Sequence, residues 1–389
     1  MANFHLTGHL RGTDIASVYI VDGVIRHELP IRVDPVSVRE ISGYIYPGLV
    51  DAHHHPGMSH GAELVDDAEI LRRLKVCRAA GVTLIRDAGS QRNACEVTER
   101  AGECEAGALP KVLYSGRHIA RFKRYTRYLA AEVEPEDLVA EIQRQAEVSD
   151  GWIKLVGDWI DRSLPKPDLA PLWPAEILRD AVKVAHDLGK KVTVHTFAAE
   201  TVQALLDAGV DGIEHGTGMS ASQMVQAREL GILLDPTVYQ VNRFPEFAAA
   251  GSKFPCYQAR MLAMHERLDD RLAQMVEAGS LFVMGTDTAE NVATRPLPVE
   301  LVTAVAHGMP ADVVMKAASY GARELLGLPS WGDGEPADFV VYSSDPEKDI
   351  TAVAEPFGVI IDGKWMTGAS LKEEAQSLAG WVPSGNETW

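Results

Sequence analysis

Short apolar runs alternate with longer amphipathic ones along most of this chain. Runs near 48–53 (GLVDAH), 82–87 (VTLIRD), 111–115 (KVLYS), 152–156 (WIKLV), 191–195 (KVTVH), 211–215 (DGIEH), 232–237 (ILLDPT) and 281–287 (LFVMGTD) are brief and mostly β-branched. Strands buried on both faces have that character. Between them lie helical stretches such as DDAEILRRLKVCRAAG and PAEILRDAVKVAHDLGK, often closed by glycine. Eight strands alternating with helices predict an α/β fold, a closed (β/α)8 TIM barrel. An open doubly wound sheet should carry a glycine-rich phosphate loop after its first strand, and this sequence has none there.

The two ends follow another rhythm. Residues 1 to about 45 read as short strands with turns, including an Asp22-Gly23 pair suited to a hairpin, and 336–366 repeats the style with a second Asp-Gly. The expected organisation is a small β-sandwich domain built from both termini, 1–45 and 336–389, flanking a barrel domain of 46–335. Two connections are long, 157–173 and 238–256. If they follow barrel strands, they lie on the face where such folds do chemistry and are candidate substrate covers.

Charge narrows the function. A net charge of −18 over 389 residues argues against a general nucleic-acid binder, which needs clustered Lys and Arg. The sequence shows neither a membrane-spanning apolar run nor a signal-peptide pattern at its start, so the expectation is a cytoplasmic protein with a small-molecule substrate and, as a guess, a homo-oligomer. Cys77, Cys95, Cys104 and Cys256 lack CxxC spacing and read as reduced thiols.

The chemistry begins at DAHHH. Alternation along the first strand lets His53 and His55 face one way while His54 faces the other. Lys154 interrupts an apolar strand, where an ammonium is costly to desolvate; an ion pair is the ordinary explanation and a modified lysine the alternative. A neutral lysine amine can take up carbon dioxide and become an anionic oxygen donor. His195, His215 and Asp287 end later strands, and in a barrel all strand ends meet at one rim. Imidazoles and a carboxylate gathered there suit zinc or a similar divalent ion. Glu214, next to a ligand histidine, is expected to face away from the site on its strand.

Taken in order, PGLVDAHHH, GVTLIRDAG, IKLV, VTVHT, GIEHGT and GTDT, with GDGEPADFVVYSSDPEKDI and VIIDGKW near the C-terminus, resemble the amidohydrolase superfamily. The style is that of the two-metal type with a carboxylated lysine, in the imidazolonepropionase-related and prolidase-like branches. The resemblance implies that His53, His55 and Asp287 hold one metal, His195 and His215 the other, and carboxylated Lys154 bridges them. It also implies a hydroxide shared by the metals as nucleophile, with Asp287 as proton carrier. The implied reaction is cleavage of an amide bond in a small carboxylate-bearing substrate: a dipeptide, an N-acyl amino acid or a cyclic amide. A lactonase or phosphotriesterase-like activity would use the same two-metal site, and a metal-free binding protein on a barrel scaffold is the alternative from another class. Tyr239, just beyond the seventh strand, resembles a position where relatives polarise the substrate carbonyl or hold its carboxylate. Arg117, His118, Arg121, Lys123, Arg124 and Arg127 cluster after the third strand, either as a solvated basic face or as a rim that attracts a carboxylate. The glycine-rich GGH-type stretch of prolidase-like relatives is missing there.

Overall fold

A computed structural model describes residues 2–106, 108–289 and 296–379, without the side chains of 102–106 and 379. Its central strands are parallel. Leu49–His54, Val82–Asp87 and Lys111–Tyr114 form one sheet, and Trp152–Val156, Lys191–Thr196, Gly212–His215, Leu233–Asp235 and Leu281–Phe282 run side by side in another. Helices follow most of these strands, for example Asp67–Ala79, Ala175–Asp187 and Ala199–Ala208. Ser220 opens the helix Ala221–Glu229 with a capping box shared with Gln223, and left-handed Gly209 closes the helix before it.

Two seams join the parallel sheets. On one side Ala52 N–H donates to Met284 O at 2.8 Å, Asp287 N–H to His53 O at 2.7 Å, and Val283 N–H to Leu234 O at 3.0 Å. The run 281–287 thus bridges the sheets, although only its first two residues have regular strand pairing. On the other side Asp150 N–H donates to Tyr114 O at 2.7 Å. Between the sheets lies a buried apolar layer of Val50, Ala52, Leu84, Trp152, Leu233 and Val283. Side chains two residues further on continue the same faces: Arg86, Lys154, Asp235 and Gly285. These begin a polar layer above the apolar one.

Strands from the two ends of the chain share one sheet. Asn3–Leu10, Val18–Val21, Val24–Arg26, Val38–Pro47, Phe339–Tyr342, Gly358–Ile361 and Lys364–Thr367 make one seven-stranded sheet. Both Asp-Gly pairs form tight hairpin turns, with φ of 55° and 85° at Asp22-Gly23 and 47° and 73° at Asp362-Gly363. Phe4, Leu6, Ile20, Ile45, Phe339 and Ile360 pack into a separate core. Through Gly48, strand Val38–Pro47 runs straight into Leu49–His54, so the terminal sheet is tied directly to the strand bearing the histidines.

The long connections are not open loops. Residues 157–173 contain an antiparallel hairpin, Asp158–Asp161 with Asp168–Pro171, and 238–256 folds mainly as the helices Val238–Asn242 and Phe244–Ala250. Cys77, Cys95 and Cys256 are free thiols, while the Cys104 side chain lies outside the described residues. No helix among the described residues is long and apolar enough to cross a membrane.

Candidate metal centre

The polar layer carries the site. His53 Nε2 and His55 Nε2 approach Asp287 Oδ1 at 3.2 and 3.3 Å. His195 Nδ1 and His215 Nε2 face each other at 3.0 Å. Lys154 Nζ contacts Glu214 Oε2, and His53 Nδ1 lies 3.7 Å from the same oxygen. His54 turns elsewhere, to Asp51 Oδ2 and Thr286 Oγ1, both at 3.2 Å. Two sets have ligand atoms close enough to hold an ion, His53–His55–Asp287 and His53–Glu214–His215, with His53 common to both.

Glu214 therefore overturns one expectation. It is fully buried, accepts from Thr193 Oγ1 at 3.0 Å, lies 3.7 Å from Arg86 Nη2, and belongs to the cluster rather than to the opposite face. Strict alternation fails because His215 sits in the left-handed region at φ 64°. That turn lets two consecutive residues reach one interior. Thr237 and Asp287, at the ends of neighbouring runs, share this conformation at φ 41° and 49°. It costs an L-residue roughly 1–2 kcal/mol, and such strain gathers at functional sites. A buried glutamate in DGIEH was as unusual as a buried lysine in WIKLV; that composition was the available signal.

Close approach is also enforced by Gly285. A Cβ there would lie 2.3 Å from Asp235 Oδ2 and 2.4 Å from His53 Cβ, so no larger residue fits beside the histidine strand.

Supporting contacts fix the rings. Thr237 Oγ1 lies 2.6 Å from His215 Nδ1, an arrangement that satisfies this nitrogen and leaves Nε2 toward His195. Asp158 accepts from Thr196 Oγ1 and from the N–H groups of Phe197 (3.1 Å) and Ala198 (3.1 Å), locking the turn after His195. Glu300 accepts from the N–H groups of Val238 and Tyr239 at 2.6 and 2.8 Å and anchors the short helix that follows Thr237.

Burial sets the protonation states. It holds His53 and His215 well below the ordinary imidazole value, lowers His55, and takes His195 to about 3. All four rings are neutral at pH 7, the form that binds a metal. Burial pushes the Lys154 ammonium down to about 7, with Asp287 resisting and Arg86 assisting. Against the effect of burial, His53 and His55 keep the Asp287 carboxyl well below its usual range.

The donor set fits divalent ions. His53 Nδ1, His55 Nδ1 and His195 Nε2 are buried with no hydrogen-bond partner among the described residues. On the side facing the cluster, His53 Nε2 and His55 Nε2 converge on Asp287 Oδ1, a nitrogen–oxygen donor set suited to zinc or a similar ion.

Above the cluster opens a cavity of about 600 Å³, floored by His53, His55, Lys154, His195 and Asp287. His118, Tyr125, Trp159 and Phe197 wall it, with Tyr125 stacked edge-on between His118 (5.5 Å) and Trp159 (4.7 Å). His118 Nδ1 lies 2.5 Å from Gly89 O, so this nitrogen carries the proton and Nε2 is left as an acceptor. Arg162, Arg243, Lys253 and Phe254 also line the cavity. A second cavity, of about 590 Å³ at the terminal sheet, has Phe4, Ile41 and Trp365 in its lining but no histidine.

The other predicted substrate contacts are placed less centrally. Arg117 donates from Nε to Leu129 O at 2.8 Å and from Nη2 to Tyr128 O at 2.5 Å, and is not part of the cavity lining. Half-buried Tyr239 is likewise outside that lining, where its helix contributes Gln240.

Comparison with known proteins now bears on the site. The model of the amidohydrolase family matches residues 44–366. The chain belongs to that family. This amidohydrolase is a hydrolase acting on carbon–nitrogen bonds. It is 37% identical over 363 residues to an uncharacterized protein of Mycobacterium tuberculosis, covering 92% of this chain and 95% of the relative. Among solved structures, a Xaa-Pro dipeptidase with methionine bound in its active site superposes with a TM-score of 0.76 at 21% identity, covering 94% of this chain and 100% of the other. The A. niger ochratoxinase gives 0.76 at 20% identity over 94% and 96% of the two chains. At these identities, the structural likeness shows the fold.

Proposed function

We propose that this amidohydrolase cleaves an amide bond in a small carboxylate-bearing substrate, using two divalent metal ions, zinc by preference. The observation that carries the reading is the His53–His55–Asp287 ligand set at the floor of one cavity that His195 and Lys154 also line. His53, His55 and Asp287 would hold one ion, His195 and His215 the other, and Lys154, carboxylated, would bridge them. Lys154 near 7 supports this, since a neutral amine is what carbon dioxide captures. Bound there, the ions supply Lewis acidity toward the scissile carbonyl and lower the pKa of water to about 7.

The chain's own residues do the rest. The Asp287 carboxylate, ionised and reaching the cavity, takes the proton of the attacking water and delivers it to the leaving nitrogen. His118 Nε2, an acceptor on the cavity wall, receives a substrate N–H and orients the amide. The aromatic wall excludes water from the reacting bond. Tyr239, on the helix that Glu300 anchors, is proposed to polarise the substrate carbonyl.

The same reading covers the architecture. The two parallel sheets and their seams are proposed as one (β/α)8 barrel spanning 46–335. Residues 1–45 and 336–389 form the small β-sandwich domain, supported by their shared sheet and separate core; 380–389 lie outside the described residues. The protein works in the cytoplasm.

The test is hydrolysis by protein grown with zinc and bicarbonate, on dipeptides, N-acyl amino acids, cyclic amides, lactones and a phosphotriester. Amide turnover is expected, and Asp287→Asn should lower it by about 10³-fold, within the range of a lost general base. Turnover confined to lactones or the phosphotriester would overturn the substrate assignment.

A further inference from the structure

The cations most visible in the sequence are those after Lys111–Tyr114, and the structure occupies several of them internally. Arg117 is held by the carbonyls of Tyr128 and Leu129, Arg121 lies 3.7 Å from Glu134, and Arg124 pairs with Asp161 at 2.9 Å. The cavity draws its cations from elsewhere. Arg162 comes from the turn of the 158–171 hairpin, Arg243 from the junction of two helices, and Lys253 from the turn before Pro255–Glu266. Arg243 is neutralised by Glu246 at 2.6 Å. Arg162 and Lys253 have no acidic partner within 4 Å among the described residues, and both stand over one ring: the Arg162 guanidinium is 5.7 Å and the Lys253 ammonium 5.2 Å from the Phe254 centroid.

Two cations gathered around one aromatic ring, neither paired with an acidic side chain among the described residues, offer a place for an anion. They stand at the wall of a cavity whose floor carries the reacting groups, in a chain of net charge −18 where carboxylates outnumber cations. We propose that Arg162 and Lys253 form the subsite for the substrate's carboxylate, with Phe254 as its base. The substrate then lies with its amide at the His53–Asp287 floor, an apolar or aromatic side group along Tyr125, Trp159 and Phe197, and its carboxylate at the mouth. This selects N-acyl amino acids and dipeptides with a bulky apolar side chain, and it moves carboxylate recognition away from the loop bearing Arg117. The assignment rests on the hydrolase reading but is tested apart from it.

The probes are 4-phenylbutyrate and 4-phenyl-1-butanol, which resemble such a substrate and cannot be hydrolysed. Their binding to the zinc-loaded protein is measured by calorimetry at low salt. The acid should bind about tenfold more tightly than the alcohol, the ratio one charge-assisted contact supplies. In Arg162→Ala/Lys253→Ala that preference should fall to about twofold or less while alcohol affinity stays unchanged, and Arg117→Ala should leave both affinities alone. Equal binding of acid and alcohol by wild type overturns the subsite. So does a preference that survives the double substitution, which would mean the carboxylate sits on the metals, or a loss of alcohol affinity as well. Turnover on the amide panel separates the two claims: an Arg162-dependent acid preference without turnover keeps the subsite and removes the hydrolase reading, and turnover with an unaffected preference does the reverse.

Discussion

At the floor of the cavity, His53, Lys154 and His195 stand on strands held by parallel pairing, with buried Glu214 beneath them in contact with Lys154, whereas Arg162, Arg243 and Lys253 line it from a hairpin turn and from helix junctions outside the central sheets. The floor is buried, and burial is the largest influence on the protonation of His53, Lys154 and His195. Toward the mouth, Arg162 and Lys253 are exposed and Arg243 partly so, and these cations are distinguished by pairing or the lack of it. Reaction chemistry is thus assigned to the rigid part of the fold and selectivity to the variable part. Substitutions at the floor should abolish function, and those at the mouth should retune it.

Lys154 gives the sharpest contrast. Lys154→Ala should lose bound metal and reduce activity by more than the roughly 10–100-fold expected of an outer supporting residue, with partial recovery on adding a short carboxylic acid. Metal analysis alongside kinetics checks it; a fully active variant retaining both ions would remove the bridging role.

The next effect is one of pH. Because burial lowers Lys154 to about 7, the amine is charged below that pH and neutral above it. Only the neutral amine captures carbon dioxide, so zinc loading of the apo protein with bicarbonate should rise as pH goes from 6 to 8. Reconstitution that ignores bicarbonate across this range would count against carboxylation.

Glu214 comes next, between floor and support. Glu214→Gln keeps an acceptor for Thr193 but removes the charge facing Lys154, Arg86 and His53. Zinc affinity or kcat should drop by about 10–100-fold while the fold is retained. Unchanged values for both would reduce Glu214 to a packing role.

How far the sequence reveals this arrangement follows from the same division. The strands Val82–Asp87 and Trp152–Val156 match their apolar runs end to end, and His195 and Asp287, which end two such runs, line the cavity with His53. Local alternation and β-propensity carry that much. Glu214 escaped because alternation assumes regular φ, and His215 does not comply. Strand Leu49–His54 also slips register against its neighbour between Asp51 and His54, so period two alone does not derive the position of His53. The mouth was not legible. Arg162, Arg243 and Lys253 are scattered over some ninety residues, and only the fold places them around one cavity. The compact run after Lys111–Tyr114 attracted notice because it is contiguous, yet contiguity says nothing about whether charges are already used.

The smallest expected effect tests that last point. Arg121 lies partly exposed, 3.7 Å from partly exposed Glu134, a pair of the kind worth about 0–1 kcal/mol. Arg121→Ala should leave KM for any carboxylate substrate within about twofold and shift stability by less than ~0.5 kcal/mol, as surface substitutions usually do. Arg117→Ala should separate from it, because Arg117 carries two carbonyl contacts that shape the loop next to His118. It should lower stability by about 0.5–1.5 kcal/mol, the net worth of an ordinary hydrogen bond, since water can replace the contact at exposed Tyr128, and alter kcat only through His118. A tenfold rise in KM for Arg121→Ala would relocate anion recognition to the basic run and place selectivity on the loop next to His118 rather than across the cavity from it.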